Sequence, residues 1–233
     1  MFMSKIQNNA DFKNCRCVIF DLDGTLVNTI DDLGLACDYL LKKAGRPLKW
    51  SVDDYRQFVG NGAKLLVKRA FEDTLSDEEL ERQYELFKPE YDAIKLDHAY
   101  IYPGIKEVLE GLKAAHKKLI VCTNKPNVAA NGMIEALFGK DVFDIVRGNV
   151  DGKPKKPDPT VPRELIASLG VLSDECVWVG DSDVDILSAQ NLGCKSIGVT
   201  WGFRSRKLLE SCGADVIIDE PKNILKTFDI FCK

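Results

Sequence analysis

The pentapeptide Asp21-Leu22-Asp23-Gly24-Thr25 follows directly after the apolar run Cys17–Phe20. That run predicts a short buried strand whose carboxyl end meets an acidic turn. Two carboxylates this close repel each other and lose hydration, which is costly without a cation or a protonated partner. Gly24 permits the tight turn that brings the backbone close to a ligand. The stretch predicts that Asp21 acts as nucleophile and metal ligand and Asp23 as acid and base; the alternative is an ordinary Asp-Gly turn.

The second half of the chain alternates between helical and strand-like segments. After the Tyr102-Pro103-Gly104 turn, strands are predicted at 119–122, 143–146, 176–179, 196–199 and 215–218, each preceded by a helix. Such alternation with short loops is typical of a parallel sheet covered on both faces. We therefore expect an α/β fold with a Rossmann-like parallel sheet as its core.

The segment 28–99 interrupts this series directly after its first strand. Leu33, Ala36 and Leu40 recur at helical spacing, and Ser76 with Glu79 forms a capping box that opens a further helix. No strand is predicted between 29 and 97. We interpret 28–99 as an inserted all-helical cap domain, and 1–27 with 100–233 as the catalytic core.

Three further stretches place polar residues at strand ends, where open α/β sheets bind their ligands. Thr123 and Asn124 offer a hydroxyl and an amide that can donate to phosphate oxygens. Lys156, held by the following proline, can neutralise a phosphate and Asp21; the alternative is a solvated basic loop. Asp181 follows the strand 176–179, and the four-residue step puts Asp185 on the same side of the next helix.

One chemical task suits these residues together. Carboxylate oxygens with open water positions favour Mg²⁺ over zinc. A carboxylate nucleophile can form an acyl phosphate, and positive charge stabilises the transferring phosphoryl oxygens. The rim of the sheet therefore predicts phosphoryl transfer onto an aspartate.

The sequence resembles the haloacid dehalogenase superfamily, whose four signature motifs match, in order, the segments at Asp21, Thr123, Lys156 and Asp181. The resemblance runs from about 15 to 228. It implies that Asp21 is the nucleophile, Asp23 the general acid and base, and that Thr123 and Lys156 hold the phosphate. It also implies Mg²⁺ bound by Asp21, Asp181 and the backbone carbonyl of Asp23, with Asp185 in a supporting role. The helical insert resembles the type-one cap of the superfamily.

With an aspartate at position 23, the sequence resembles the phosphate-ester enzymes of the superfamily rather than its dehalogenases. The stretches 58–63 and 199–203 are similar to those of phosphoglycolate phosphatases, which makes 2-phosphoglycolate the leading substrate. Asn61, with Lys64 or Arg56, is expected to read the leaving group. Pyrophosphate and sugar phosphates remain alternatives, as does a phosphomutase of the β-phosphoglucomutase type. A receiver-like signalling module is the alternative outside enzymes.

Composition narrows the partners. The net charge of −4 gives no reason to expect nucleic acid or an anionic membrane, and no apolar run reaches the ~20 residues of a membrane span. The polar N-terminus, 1–14, lacks the features of a secretory signal, so we expect a cytoplasmic protein. The eight cysteines of the chain are scattered along the sequence and are expected to be reduced and structural. The oligomeric state, monomer or dimer, is left open.

Overall fold

The computed structural model describes residues 12–230. Cys232 lies outside that range, and so does most of the polar N-terminal stretch 1–14. The expectations about the thiols and about secretion depend partly on these residues. The seven cysteines within it are free. No helix in 12–230 is both long enough and apolar enough to cross a membrane.

A six-stranded parallel sheet forms the core. Its strands are β1 (Cys17–Phe20), β4 (Lys118–Pro126), β5 (Ile145–Asn149), β6 (Cys176–Gly180), β7 (Lys195–Val199) and β8 (Val216–Ile218). They lie in the order β5-β4-β1-β6-β7-β8. β1 is central and buried on both faces, as its unbroken apolar run requires. The expected Rossmann-like α/β fold is confirmed.

Helices alternate with these strands along the second half of the chain. They are α5 (Ile105–Ala114), α6 (Asn127–Phe138), α7 (Thr160–Ser168), α8 (Asp183–Leu192), α9 (Arg206–Ser211) and α10 (Asn223–Thr227), with a 3₁₀ turn at Ser173–Glu175. Two buried apolar clusters line the two faces of the sheet. The sheet is therefore covered on both faces, as the alternating pattern predicts.

Four helices lie between the first strand and the rest of the core: α1 (Ile30–Lys43), α2 (Val52–Phe58), α3 (Ala63–Ala70) and α4 (Asp77–Ile94). They bury a cluster of their own that includes Leu40, Leu66 and Phe87. Both Ser51 and Ser76 close capping boxes, at the starts of α2 and α4. The insert thus has a separate hydrophobic core, which is why it folds over the sheet instead of into it.

Sequence patterns did not predict the connection between the two parts. β2 (Val27–Asn28) pairs antiparallel with β3 (Tyr100–Ile101), so the chain leaves and re-enters the core through a two-stranded ribbon. Two-residue strands are too short to show an alternating pattern. The ribbon holds both connections to the cap side by side.

Candidate active site

The rim of the sheet gathers the predicted acidic residues because β4, β1 and β6 are neighbours. Asp21 follows β1, and its backbone N–H donates to the Val179 carbonyl at 3.0 Å. Asp181 follows β6. Both carboxylates are buried, as is Asp185 on the first turn of α8. One oxygen of each of the three lies within 4.8 Å of the others.

Asp181 is held rigidly in place. Its Oδ1 accepts a hydrogen bond from Thr25 Oγ1 at 2.9 Å, and its Oδ2 accepts one from the Phe203 backbone N–H at 2.8 Å. A Cβ at Gly24 would lie 2.4 Å from Asp181 Oδ2, and a Cβ at Gly202 would lie 2.3 Å from Asp181 Cβ. Only glycine fits at either position, since the two loops close directly onto this carboxylate.

Lys156 lies between two of the carboxylates. Its Nζ is 2.8 Å from Asp21 Oδ1 and 2.8 Å from Asp185 Oδ1. Only the contact with Asp185 has hydrogen-bond geometry, so Asp21 is an ion-pair partner by distance alone. Burial by itself would lower the pKa of Lys156, but Asp185 and Asp21 raise it above its usual value. The lysine is therefore a permanent cation. Of the three lysines at 153, 155 and 156, it is the one that reaches Asp21.

Asp185 fixes that lysine. Its Oδ1 also accepts from Trp178 Nε1 at 3.3 Å, and its Oδ2 accepts from the backbone N–H and hydroxyl of Ser182 at 3.1 and 2.6 Å. The bond from the Ser182 backbone, together with one from the Asp185 backbone N–H to Ser182 Oγ, forms the N-terminal capping box of α8. Asp185 thus positions Lys156 toward Asp21.

The charge balance of the cluster fits a divalent cation. Three buried carboxylates face one ammonium, which leaves two negative charges uncompensated. Burial first, and then the neighbouring carboxylates Asp185 and Asp21, raise the pKa of Asp181. Burial also raises the pKa of Asp21, and Lys156 opposes that shift. Asp21 Oδ1 accepts no hydrogen bond from any described residue. Oxygen ligands and this unbalanced charge suit Mg²⁺.

Thr123 and Asn124 lie within β4, because that strand runs past the predicted end at 122. Thr123 is buried at the rim, and its Oγ1 accepts from the Lys125 backbone N–H at 3.2 Å, which leaves its hydroxyl proton free to donate. The Asn124 side-chain amide instead donates to the backbone carbonyls of Gly60, at 3.1 Å, and Lys156, at 3.2 Å. Asn124 therefore ties a cap loop and the loop of Lys156 to the rim.

Asp23 belongs to a network that the sequence reasoning missed. Its Oδ1 lies 2.8 Å from Lys125 Nζ and accepts a hydrogen bond from Thr29 Oγ1 at 2.7 Å. Lys125 Nζ also lies 2.5 Å from the Tyr91 hydroxyl, on cap helix α4. In a strand, residues two apart share a face. That period, applied to Thr123, could have pointed to Lys125 had the strand been extended.

An apolar cleft of about 420 Å³ separates the rim from the cap. Asp21, Asp23 and Thr123 lie on its core side, and Leu66 and Phe87 are among the apolar side chains on its cap side. A concave, largely apolar cleft with a few polar groups is typical of a site that binds a small molecule.

The three cap residues expected to read the substrate do not line the cleft. Asn61 Oδ1 accepts a hydrogen bond from Arg69 at 3.1 Å, whereas the neighbouring Gly60 and Gly62 do line the cleft. Lys64 is exposed and pairs with Glu81 on the cap surface. Arg56 pairs with Asp53 at 2.7 Å and is likewise not a cleft residue.

A loop after β7 connects the cap with the acidic cluster. Phe203 donates to Asp181 through its backbone and packs its ring against the apolar cluster of the cap. Arg204 donates to the Val59 carbonyl at 2.6 Å and to the Arg56 carbonyl, at the carboxyl end of α2. The loop therefore contacts Asp181 of the acidic cluster and the cap at once.

Comparison with known proteins identifies relatives that share this sequence pattern and fold. The profile of the haloacid dehalogenase-like hydrolase family matches residues 18–199. A phosphoglycolate phosphatase of Vibrio parahaemolyticus is 32% identical over 220 residues, which cover 92% of this chain and 96% of the relative. Phosphoglycolate phosphatase 1 of Pseudomonas aeruginosa is 31% identical, covering 92% of this chain and 80% of that one. The crystal structure of a predicted phosphoglycolate phosphatase from Haemophilus somnus superimposes with a TM-score of 0.85 at 31% identity, covering 91% of this chain and 97% of the other.

Proposed function

The chain belongs to the haloacid dehalogenase-like hydrolases and is a phosphoric monoester hydrolase, and we propose that it works through a phosphoryl group carried on Asp21. The observation that carries the proposal is the position of the Asp21 carboxylate, which is buried at the rim as part of the acidic cluster and lies 2.8 Å from Lys156 Nζ. A nucleophile needs an ionised carboxylate, and Lys156 favours that form against the effect of burial.

The reaction has two displacements. An oxygen of Asp21 attacks phosphorus, the ester P–O bond breaks, and Asp23 gives its proton to the departing oxygen. Asp23 then removes a proton from water, the water oxygen attacks phosphorus, and the Asp21–phosphorus bond breaks to release inorganic phosphate. The Thr123 hydroxyl and the Lys156 ammonium bind the phosphoryl oxygens, and Asp185 keeps Lys156 in place.

We propose Mg²⁺ as the cofactor, held by Asp21, Asp181 and the backbone carbonyl of Asp23. When bound, it supplies positive charge that offsets the repulsion between the phosphate and the acidic cluster. Asp181 contributes to this by its fixed orientation, since Thr25 and Phe203 hold both of its oxygens.

For the substrate we propose 2-phosphoglycolate, because relatives that align over nearly all of this chain carry the name phosphoglycolate phosphatase. In this proposal the segment 28–99 is the cap domain that covers the leaving group, and 1–27 with 100–233 form the catalytic core. We place the protein in the cytoplasm, where its seven described free thiols would stay reduced.

The test is release of inorganic phosphate from 2-phosphoglycolate, pyrophosphate and sugar phosphates, each with Mg²⁺, with chelator and with Ca²⁺. We expect turnover of phosphoglycolate with Mg²⁺ only, because Ca²⁺ takes a larger and less regular set of oxygen ligands and would hold Asp21 less precisely. Full activity in excess chelator would contradict the metal site. Conversion of a sugar phosphate to its isomer without phosphate release would show a phosphomutase instead, and a stable phosphoryl group on Asp21 without turnover would show a receiver-like module.

A further inference from the structure

Lys125 is a buried cation on the wall of the cleft that the phosphoryl chemistry leaves unused. Its Nζ lies 2.8 Å from Asp23 Oδ1, 2.5 Å from the Tyr91 hydroxyl and 4.7 Å from the centroid of the Tyr91 ring. An ammonium group carries three N–H donors, and these contacts use two of them. The side chain can therefore accept one more anionic partner in the cleft without breaking either contact.

The other cations near the cleft have different positions. Lys156 is the second buried lysine or arginine among residues 12–230, and it is engaged by Asp21 and Asp185 on the phosphate side. Lys88 lines the cleft but is exposed and pairs with Glu85. The cap-side walls are largely apolar, and a charge interaction is stronger there than in water. Lys125 is thus the cation best placed to bind a negative group of the leaving alcohol.

The position of Lys125 also limits how far that negative group is from the reacting bond. Asp23 has to contact the ester oxygen in order to give it a proton. Because Lys125 Nζ lies within hydrogen-bond distance of the same Asp23 carboxyl, an anion bound to it can approach the ester oxygen to within a few ångströms. A carboxylate one carbon away from that oxygen satisfies this distance.

We propose that Lys125 is a specificity-determining residue that binds the carboxylate of the leaving group, so that the substrates are short phosphate esters of hydroxy acids. The inference rests on the proposed function and adds to it the group that recognises the leaving alcohol. Tyr91 orients the ammonium from the cap, so the same contact joins substrate recognition to the position of α4.

The experiment is a cycle that removes the cation from the protein and the carboxylate from the substrate. The substrates are 2-phosphoglycolate and 2-hydroxyethyl phosphate, which has a hydroxymethyl group in place of the carboxylate. The variants are Lys125→Met, which keeps the length without the charge, and Lys125→Arg, which keeps the charge. Lys64→Ala serves as the matched control, since that lysine is exposed and outside the cleft.

We expect Lys125→Met to lower kcat/KM for phosphoglycolate roughly ten- to a hundredfold more than for hydroxyethyl phosphate, as for loss of a charge-assisted contact. Lys125→Arg should keep most of the preference, and Lys64→Ala should not alter it. In the same assays, the inhibition constant of inorganic phosphate should stay unchanged in Lys125→Met, because the phosphate subsite is intact.

Equal losses on both substrates would overturn the inference and would mean that Lys125 only positions Asp23, while the proposed phosphatase activity would stand. Should Lys125→Met not fold, the wild-type enzyme still decides, because the inference requires at least a roughly tenfold preference for phosphoglycolate over hydroxyethyl phosphate. Failure of the wild-type enzyme to release phosphate from any ester would contradict the proposed function instead.

Discussion

The core side and the cap side of the cleft hold their polar groups in opposite ways. On the core side, Asp21, Asp181, Asp185 and Lys156 are all buried and contact one another within one cluster. On the cap side, Lys64 and Arg56 are paired with acidic neighbours of the cap itself and lie outside the cleft. The cap contributes mainly apolar walls, with Tyr91 reaching the core through Lys125.

This difference teaches where each kind of recognition is built. The charged residues that act together lie at neighbouring strand ends, where the sheet holds them close to hydrogen-bond distance from one another. The cap is attached through a ribbon and a few contacts, so it suits a cover that excludes water and selects by shape. Substitutions on the two sides should therefore differ in size and in kind.

The largest effect is expected from Asp21→Asn. The amide keeps the shape of the side chain but has neither the charge nor the nucleophilicity of the carboxylate. We expect kcat to fall by at least ~10³-fold, in line with losses of covalent catalytic groups. The measurement is phosphate release at saturating substrate, and near-normal turnover would end the aspartyl-phosphate mechanism.

Asp181→Asn should separate stability from activity. In the metal-free fold, burial and then the Asp185 and Asp21 carboxylates raise the pKa of Asp181, so unfolding releases a proton. Stability from this group is complete below the unfolded carboxyl pKa of about 4 and is lost as the pH rises through the folded pKa. Asparagine removes that loss and can still contact Thr25 and Phe203.

At neutral pH and without metal, the Asp181→Asn variant should therefore unfold with a free energy at least ~1 kcal/mol higher than the wild type. The gain should shrink toward pH 4, and Mg²⁺-dependent activity should be lost. Denaturant unfolding at several pH values measures this. A variant that is less stable than the wild type at neutral pH would show that repulsion among the buried carboxylates does not destabilise the metal-free fold.

A comparable but purely structural effect is expected where the core holds the cap. Arg204→Ala removes a mostly buried guanidinium from the carbonyls at the end of α2, and should lower the free energy of unfolding by about 1.5–3 kcal/mol. Arg206→Ala is the control, because Arg206 is exposed and its pair with Asp219 should contribute less than about 1 kcal/mol. Indistinguishable unfolding of the two variants would mean that Arg204 does not hold the cap.

The smallest effect is expected from Lys64→Ala. Its exposed pair with Glu81 is worth at most about 1 kcal/mol, and the side chain does not line the cleft. Turnover of phosphoglycolate and of an aryl phosphate should both stay within about twofold of the wild type. A selective loss on phosphoglycolate would show that the cap moves far enough to bring Lys64 to the substrate, and would blur the difference between the two sides.

Most of the core site could be predicted because its residues follow strands whose order along the chain is visible in the sequence. The apolar run before Asp21 and the one before Asp181 each mark a strand end, and parallel strands end on one edge of the sheet. Of the three lysines in its loop, Lys156 was the one chosen from the sequence, and it is the one that lies beside Asp21. The length of β4 was not predicted, so its extension through Lys125 was missed.

The sequence by itself determined the sheet, the helical insert and the acidic rim, since apolar periodicity and polar residues at strand ends are local properties of the chain. Only the tertiary structure decided which side chains line the cleft. Lys125 meets Tyr91 and Asp23 across separations of 34 and 102 residues, and Lys64 meets Glu81 instead of the cleft. Such contacts depend on how the cap lies over the sheet and join residues that are far apart in the sequence, so no local pattern records them.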